Sequence, residues 1–150
     1  CRRCYNFIRW YVLNMKAKQV IVMRKDLNMR KGKMVAQGAH ASMGALLSMG
    51  SETHFPNKPQ EASGIYITFD KRPWLKEWIE GSFTKICVSC NSEEEILALE
   101  QAAKDRGLTN CLITDSGRTE FDGVPTITAL AIGPDDPDEI DAVTGDLKLL

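Results

Sequence analysis

At 150 residues, 43% hydrophobic and 26% charged, the chain is long enough for one domain burying roughly 68–70% of its unfolded surface, and its composition excludes a disordered chain. The formal charge of −1 conceals an asymmetry: residues 1–33 carry ten Lys or Arg against the single acid Asp26, leaving nine bases against nineteen acids in the remainder. Binding follows local potential and not overall charge, so the mild acidity does not exclude a basic face suited to a phosphate backbone; a solvated basic loop fits the same pattern.

In chain order, Cys1 to Asn14 form an aromatic and basic stretch that fits the domain poorly. Its short apolar run Tyr11-Val12-Leu13 falls well below the roughly 18 apolar residues a membrane helix needs. A peripheral anchor, a start-site artefact ahead of Met15 and a leader segment are the options, and a single domain is expected over residues 15–150. Within Lys18–Arg24, the β-branched run Val20-Ile21-Val22 followed by Met23 predicts a buried central strand. Asp26 to Gly32 reads as a polar, basic loop, and Lys33 to about Ser48, rich in Ala, Met and Leu and free of Pro, as a helix.

Residues 50–63, with Pro56 and Pro59, read as an exposed connection, followed by a strand or hairpin arm over Gly64 to Phe69. Pro73 opens a short amphipathic helix through Trp74, Leu75, Trp78 and Ile79 that Gly81 ends. Thr84 to Cys90 predicts a strand, and Ser92 with Glu95 a capping box for a helix ending at Gly107. Leu108 to Thr114 and Thr126 to Ile132 read as strands around a loop, Asp115 to Pro125. Asp136 as N-cap, Pro137 and Glu139 signal a last helix. Strands alternating with helices argue for an α/β layered sheet covered by helices on both faces, without repeats or a second domain.

Five cysteines include two CxxC pairs, Cys1/Cys4 and Cys87/Cys90, which invites a zinc or redox reading. On a strand, however, residues three apart point to opposite faces, so Cys87 and Cys90 are poorly disposed to share a metal. Buried structural thiols are the better account, and an odd count without a convincing secretory signal argues for a reducing, cytosolic setting.

Helical spacing gathers Lys33, Gln37, His40 and Gly44 into a stripe about 60° wide. The opposite side, with Val35, Ala39, Ser42 and Leu46, is expected to pack on the sheet while the polar stripe faces a cleft. A solvated face accounts for Lys33 and Gln37 equally well, and a single core hydrogen bond for His40. The second constellation, Asp115-Ser116-Gly117-Arg118-Thr119, follows a strand end, where ligand sites of open α/β sheets lie. Its carboxylate suits a base; an ordinary Asx turn with Gly117 at an unusual backbone angle fits as well.

These residues converge on a family. Lys31-Gly32-Lys33-Met34-Val35-Ala36-Gln37-Gly38-Ala39-His40-Ala41 resembles the signature of the archaeal and eukaryotic type of peptidyl-tRNA hydrolase. Gly107-Leu108-Thr109, Ile113 to Thr119, Ala131 to Pro134 and Val143 to Leu149 look like the family's later motifs in the same order. The resemblance implies a three-layer α/β sandwich with a four-stranded mixed sheet, often dimeric, and a catalytic set of Lys33, Gln37, His40, Asp115, Thr119 and Thr128. The chain departs from the pattern at Arg30, where the family usually has Gly, at Gly38-Ala39, and at Ser116.

The implied reaction is cleavage of the ester joining a peptide to tRNA. Asp115 is expected to orient or deprotonate water, Lys33 to offset negative charge, and Thr119 and Gln37 to donate positioning hydrogen bonds, with His40 a helper or a structural residue. No Ser or Cys stands in a nucleophile motif, so direct hydrolysis without metal or cofactor is expected. Contacts to tRNA phosphates are expected from Lys16, Lys18, Arg24, Lys25, Arg30, Lys31 and Arg118. No membrane association is expected; the resemblance makes a homodimer an option and leaves the oligomeric state open. The rivals are a non-catalytic RNA-binding or protein-interaction module on the same fold, and a thiol or zinc protein.

Overall fold

A computed structural model describes residues 17–52, 67–69 and 73–150. Expectations for residues 1–14 and Lys16, including Cys1 and Cys4, and for most of the 50–72 connection lie outside the described residues. Strand β1 (Lys18–Arg24) leads into helix α1 (Lys31–Ser48) and then β2 (Gly50–Glu52), which pairs with β3 (Ile67–Phe69) in a small separate ladder. Helix α2 (Pro73–Glu80), β4 (Lys85–Cys90), α3 (Glu93–Asp105) and β5 (Asn110–Asp115) follow. After a one-turn 3-10 segment at Phe121–Gly123 come β6 (Thr126–Asp135), α4 (Pro137–Thr144) and β7 (Lys148–Leu149).

The main sheet runs β5-β6-β1-β4-β7, so β1 is central, as its apolar run predicts. It is parallel to β4 and antiparallel to β6. Side-chain alternation divides the strand. Val20 and Val22 join Val88, Leu130 and Ile132 against Ile96 and Ala103 of α3 and Ile140 of α4, whereas Ile21 and Met23 join Ala129 and Ala131 against Ala41 and Ala45 of α1. Cys87 is exposed and Cys90 buried, the opposed facing expected of strand residues three apart.

The sheet has five strands, not four, because Leu149 and Lys148 pair with Val88 and Ser89 at its edge. Two residues carry no legible periodicity. Strand β6 also continues past Ile132 through a cis Gly133-Pro134 bond to Asp135, where a Gly-Pro pair reads as a terminator. Gly133, at φ +90, is required by close packing: a Cβ there would lie 2.6 Å from the Lys18 carbonyl oxygen.

Helix ends follow their signals. Ser92 Oγ accepts the Glu95 N–H at 3.1 Å, Glu95 Oε2 reaches back to the Asn91 N–H at 2.7 Å, and Asp136 accepts the Asp138 N–H at 2.9 Å. Helix α1 differs from expectation in its roll about its axis. The residues it buries are Gln37, Gly38, Ala41 and Ala45, while Val35 is 73% and Met43 55% exposed. Small side chains set this choice. Gly44 approaches β5 so closely that a Cβ would lie 2.6 Å from Cys111 Sγ, a fit the bulkier flank cannot make. Gln37 and Gly44 of the polar stripe therefore lean on β5 and β6, while His40 is exposed. The flank of Val35, Ala39, Ser42 and Leu46 instead lines an apolar groove of about 730 Å³. Among the described residues no helix is long and apolar enough to cross a membrane.

Candidate active site

Strand β5 ends at Asp115, β6 runs beside it, and α1 lies across both, so residues distant in sequence meet where the two strands separate. The ladder breaks there: Ile113 pairs with Ala129 but Thr114 with Ile127, leaving Thr128 as an extra residue on β6. Such a bulge re-aims its side chain. Thr128, fully buried, donates from Oγ1 to Gln37 Oε1 of α1 at 2.6 Å.

That bond fixes the Gln37 amide with its nitrogen outward, and Nε2 donates to Asp115 Oδ1 at 3.1 Å. The other carboxylate oxygen, Oδ2, lies 2.7 Å from Lys33 Nζ and accepts the Gly117 N–H at 2.9 Å. Lys33 Nζ also donates to Thr119 Oγ1 at 3.1 Å and stands 5.6 Å from the centre of the Phe121 ring. The result is one chain of polar contacts, Thr128 to Gln37 to Asp115 to Lys33 to Thr119. The Lys33 ammonium, foremost, with the Gly117 N–H and the Gln37 amide, holds the Asp115 carboxyl below its ordinary value against a smaller opposing effect of burial. The group is an ionised carboxylate, paired and oriented.

Gly117 is indispensable to this turn. Its φ is +77, and a Cβ would fall 2.4 Å from the Val124 carbonyl oxygen. The Asx turn read from the sequence is present, and its N–H is one of the groups holding the carboxylate. Beyond it Phe121, Asp122 and Gly123 also have positive φ, so the loop carrying Thr119 is tightly wound, with Gly123 N–H donating to the Gly117 carbonyl at 3.0 Å.

Of the six predicted catalytic residues, five join this network. His40 does not: it lies one turn past Gln37, exposed, with no hydrogen bond to a described residue. The expected phosphate contacts divide. Arg24 is 8% exposed and engaged internally, donating to Asp26 at 2.7 and 3.2 Å, Glu93 at 2.9 Å and the Ile127 carbonyl beside the bulge at 3.0 Å. Lys18 Nζ pairs with Asp141 at 2.5 Å. Both cations are thus paired within the chain, with carboxylates that sequence reading did not connect to them. Lys25, Lys31 and Arg118 are exposed, and Arg30 is 77% exposed while paired with Glu120. Among the described residues no cluster of three or more His, Cys, Asp or Glu is arranged to hold a metal. The apolar groove lies on the flank of α1 away from Lys33 and Gln37 and brings no group of this network to its surface.

A family model described as "Peptidyl-tRNA hydrolase PTH2" matches residues 17–150. The chain is 42% identical over 134 residues to a protein of Methanothermobacter thermautotrophicus named peptidyl-tRNA hydrolase, covering 89% of this chain and 99% of that one. It is 41% identical over 133 residues to a protein of the same name from Methanopyrus kandleri, covering 89% and 97%. Among solved structures, a protein of unknown function from Agrobacterium tumefaciens strain C58 superposes with a TM-score of 0.53 at 13% identity, covering 90% of this chain and 98% of that one, a likeness of fold alone.

Proposed function

The chain belongs to the peptidyl-tRNA hydrolase family PTH2, and on that premise we propose that the Lys33–Asp115 pair is where it hydrolyses the ester between a peptide and tRNA. Water attacks the ester carbonyl, negative charge gathers on the carbonyl oxygen, and the ribose oxygen leaves with the proton the water gives up. The observation that carries the assignment is a cation held 2.7 Å from a carboxylate that is itself braced by Gln37 and Gly117. Lys33, fixed before substrate arrives, stabilises the oxyanion without reorganising, the arrangement in which electrostatic stabilisation is most effective.

A carboxylate held at low pKa is a weak proton acceptor, which favours Asp115 as the group that orients the water and fixes Lys33 over Asp115 as a strong base. Thr119 accepts from Lys33, so its own hydroxyl proton is available to the substrate. Gln37 and Thr128 are positioning residues, acting through Asp115. His40, on the exposed side of α1, is a helper at most. Lys25, Lys31, Arg30 and Arg118 form the phosphate-contacting set, and binding should weaken with salt by a logarithmic slope of about −0.7 for each single-strand phosphate neutralised.

The test is release of tRNA from an N-blocked aminoacyl-tRNA by purified protein with chelator present, beside Asp115→Ala and Lys33→Ala variants of unchanged melting temperature. Release that both variants abolish supports the assignment; near-normal release by both refutes it. Tight tRNA binding without release would favour a binding module on this fold.

A further inference from the structure

Beside the ion pair lies a cavity of about 350 Å³ lined by Arg30, Gly32, Lys33, Thr119 and Glu120. Two of these belong to the polar chain described above. Arg30 and Glu120 do not: they face each other across the mouth, with Arg30 Nε donating to Glu120 Oε1 at 2.7 Å. The contact is lopsided. The Arg30 side chain is 77% exposed and that of Glu120 17%, and the two terminal guanidinium nitrogens donate to no described residue. One edge of a planar fork is thus held by a carboxylate while the edge suited to bidentate recognition of a phosphate faces solvent. No acidic residue stands in the first turn of α1, so Glu120 is the carboxylate paired with Arg30 at this rim.

We propose that Glu120 tunes substrate and product affinity by attenuating the hold of Arg30 on the phosphates of the tRNA strand. Substrate and product carry the same phosphates, so a fully free Arg30 beside the reacting ester would retain the deacylated product as firmly as the substrate. Glu120 partly neutralises that cation. A phosphate then shares the guanidinium through its free edge, and the product leaves more readily. The inference rests on the hydrolase reading for its identification of the ligand, and on the Arg30–Glu120 pair for its mechanism.

The experiment compares wild type, Glu120→Gln, Arg30→Ala and the double variant in steady-state and single-turnover hydrolysis of N-acetyl-aminoacyl-tRNA, with equilibrium binding of deacylated tRNA measured separately. An exposed pair of this kind corresponds to about a two- to five-fold effect. Glu120→Gln is expected to lower KM and the dissociation constant of deacylated tRNA in parallel by that factor, with the single-turnover rate at saturating enzyme unchanged. Arg30→Ala should weaken binding more in the Glu120→Gln background than in wild type, because the cation removed there is no longer neutralised. Unchanged affinity overturns the proposal, as does a fall in the single-turnover rate at constant affinity, which would make Glu120 a support of the tightly wound loop. Should wild type bind tRNA without hydrolysing it, the hydrolase reading fails, while the binding arm still decides the role of Glu120.

Discussion

Replacing Thr128 by Val tests whether the site is held together from beneath. The two side chains are nearly the same shape, so the change removes the hydroxyl that donates to Gln37 Oε1 at 2.6 Å and puts a methyl group where a donor stood. Thr128 is 0% and Gln37 3% exposed, so water cannot replace the lost bond. A buried acceptor left without a donor costs about 1–3 kcal/mol. For a chain of this size that lowers the melting temperature by about 2–4 °C per kcal/mol. With its carbonyl released, the Gln37 amide no longer has a reason to present nitrogen to Asp115. If the whole cost reappears in the transition state, kcat/KM falls by about 5- to 150-fold. Single-turnover hydrolysis beside a thermal melt reads both effects. Thr128→Ser keeps the donor and should recover most of the activity. Wild-type turnover by the Val variant, or a Ser variant as impaired as Val, would refute the coupling from Thr128 through Gln37 to Asp115.

Three further outcomes follow from the same geometry. Because the Asp115 carboxyl is held below its ordinary value of 3.8, the stability it contributes is fully present above that pH and is lost only as pH falls through the lower folded-state value. Lys33→Met removes the leading cause and should raise the Asp115 titration, read by carbon NMR of the carboxyl; coincident titrations in the two proteins would contradict the pairing. Arg24→Ala should destabilise the fold by about 2–3 kcal/mol, through lost hydrogen bonds to charged partners, while leaving the KM for tRNA unchanged; a raised KM at normal stability would return Arg24 to the binding face. His40→Ala should retain most of the turnover, as measured in the tRNA-release assay, since its side chain joins none of the contacts around Asp115.

Much of the fold is legible because its signals are local. The apolar run of β1, the Ser92–Glu95 capping box and the Asp136-Pro137 start each depend on residues within one or two turns of each other. The roll of α1 is not of this kind. An Ala-rich helix offers several faces of similar polarity, and the face that packs is chosen by how closely Gly38, Ala41 and Gly44 let it approach the strands, a property of the partner surface as much as of the helix. Burial of Gln37 is equally invisible in isolation, since an amide becomes a core residue only when Thr128 and Asp115 satisfy it. The motif resemblance singles out the residues of the proposed site, but the bulge that turns Thr128 toward α1 exists only in the pairing of β5 with β6. The surroundings of Arg24 are only half local: Asp26 is two residues away, but its second acidic partner, Glu93, is 69 residues away in sequence. The fifth strand is too short to announce itself.

The bonds that join Gln37 to Asp115, Lys33 to Thr119 and Thr128 to Gln37 span 78, 86 and 91 residues. No helix, hairpin or half of the chain contains the whole site, which comes into being only when β5 and β6 have paired and α1 has docked. Turnover is therefore a folding probe: during denaturant titration its loss should overlay the loss of far-ultraviolet circular dichroism, as it must when one cooperative transition governs both. Contacts of such long range also slow the folding transition as a whole, so ester hydrolysis and circular dichroism should recover after dilution from denaturant with one shared, topology-limited rate constant.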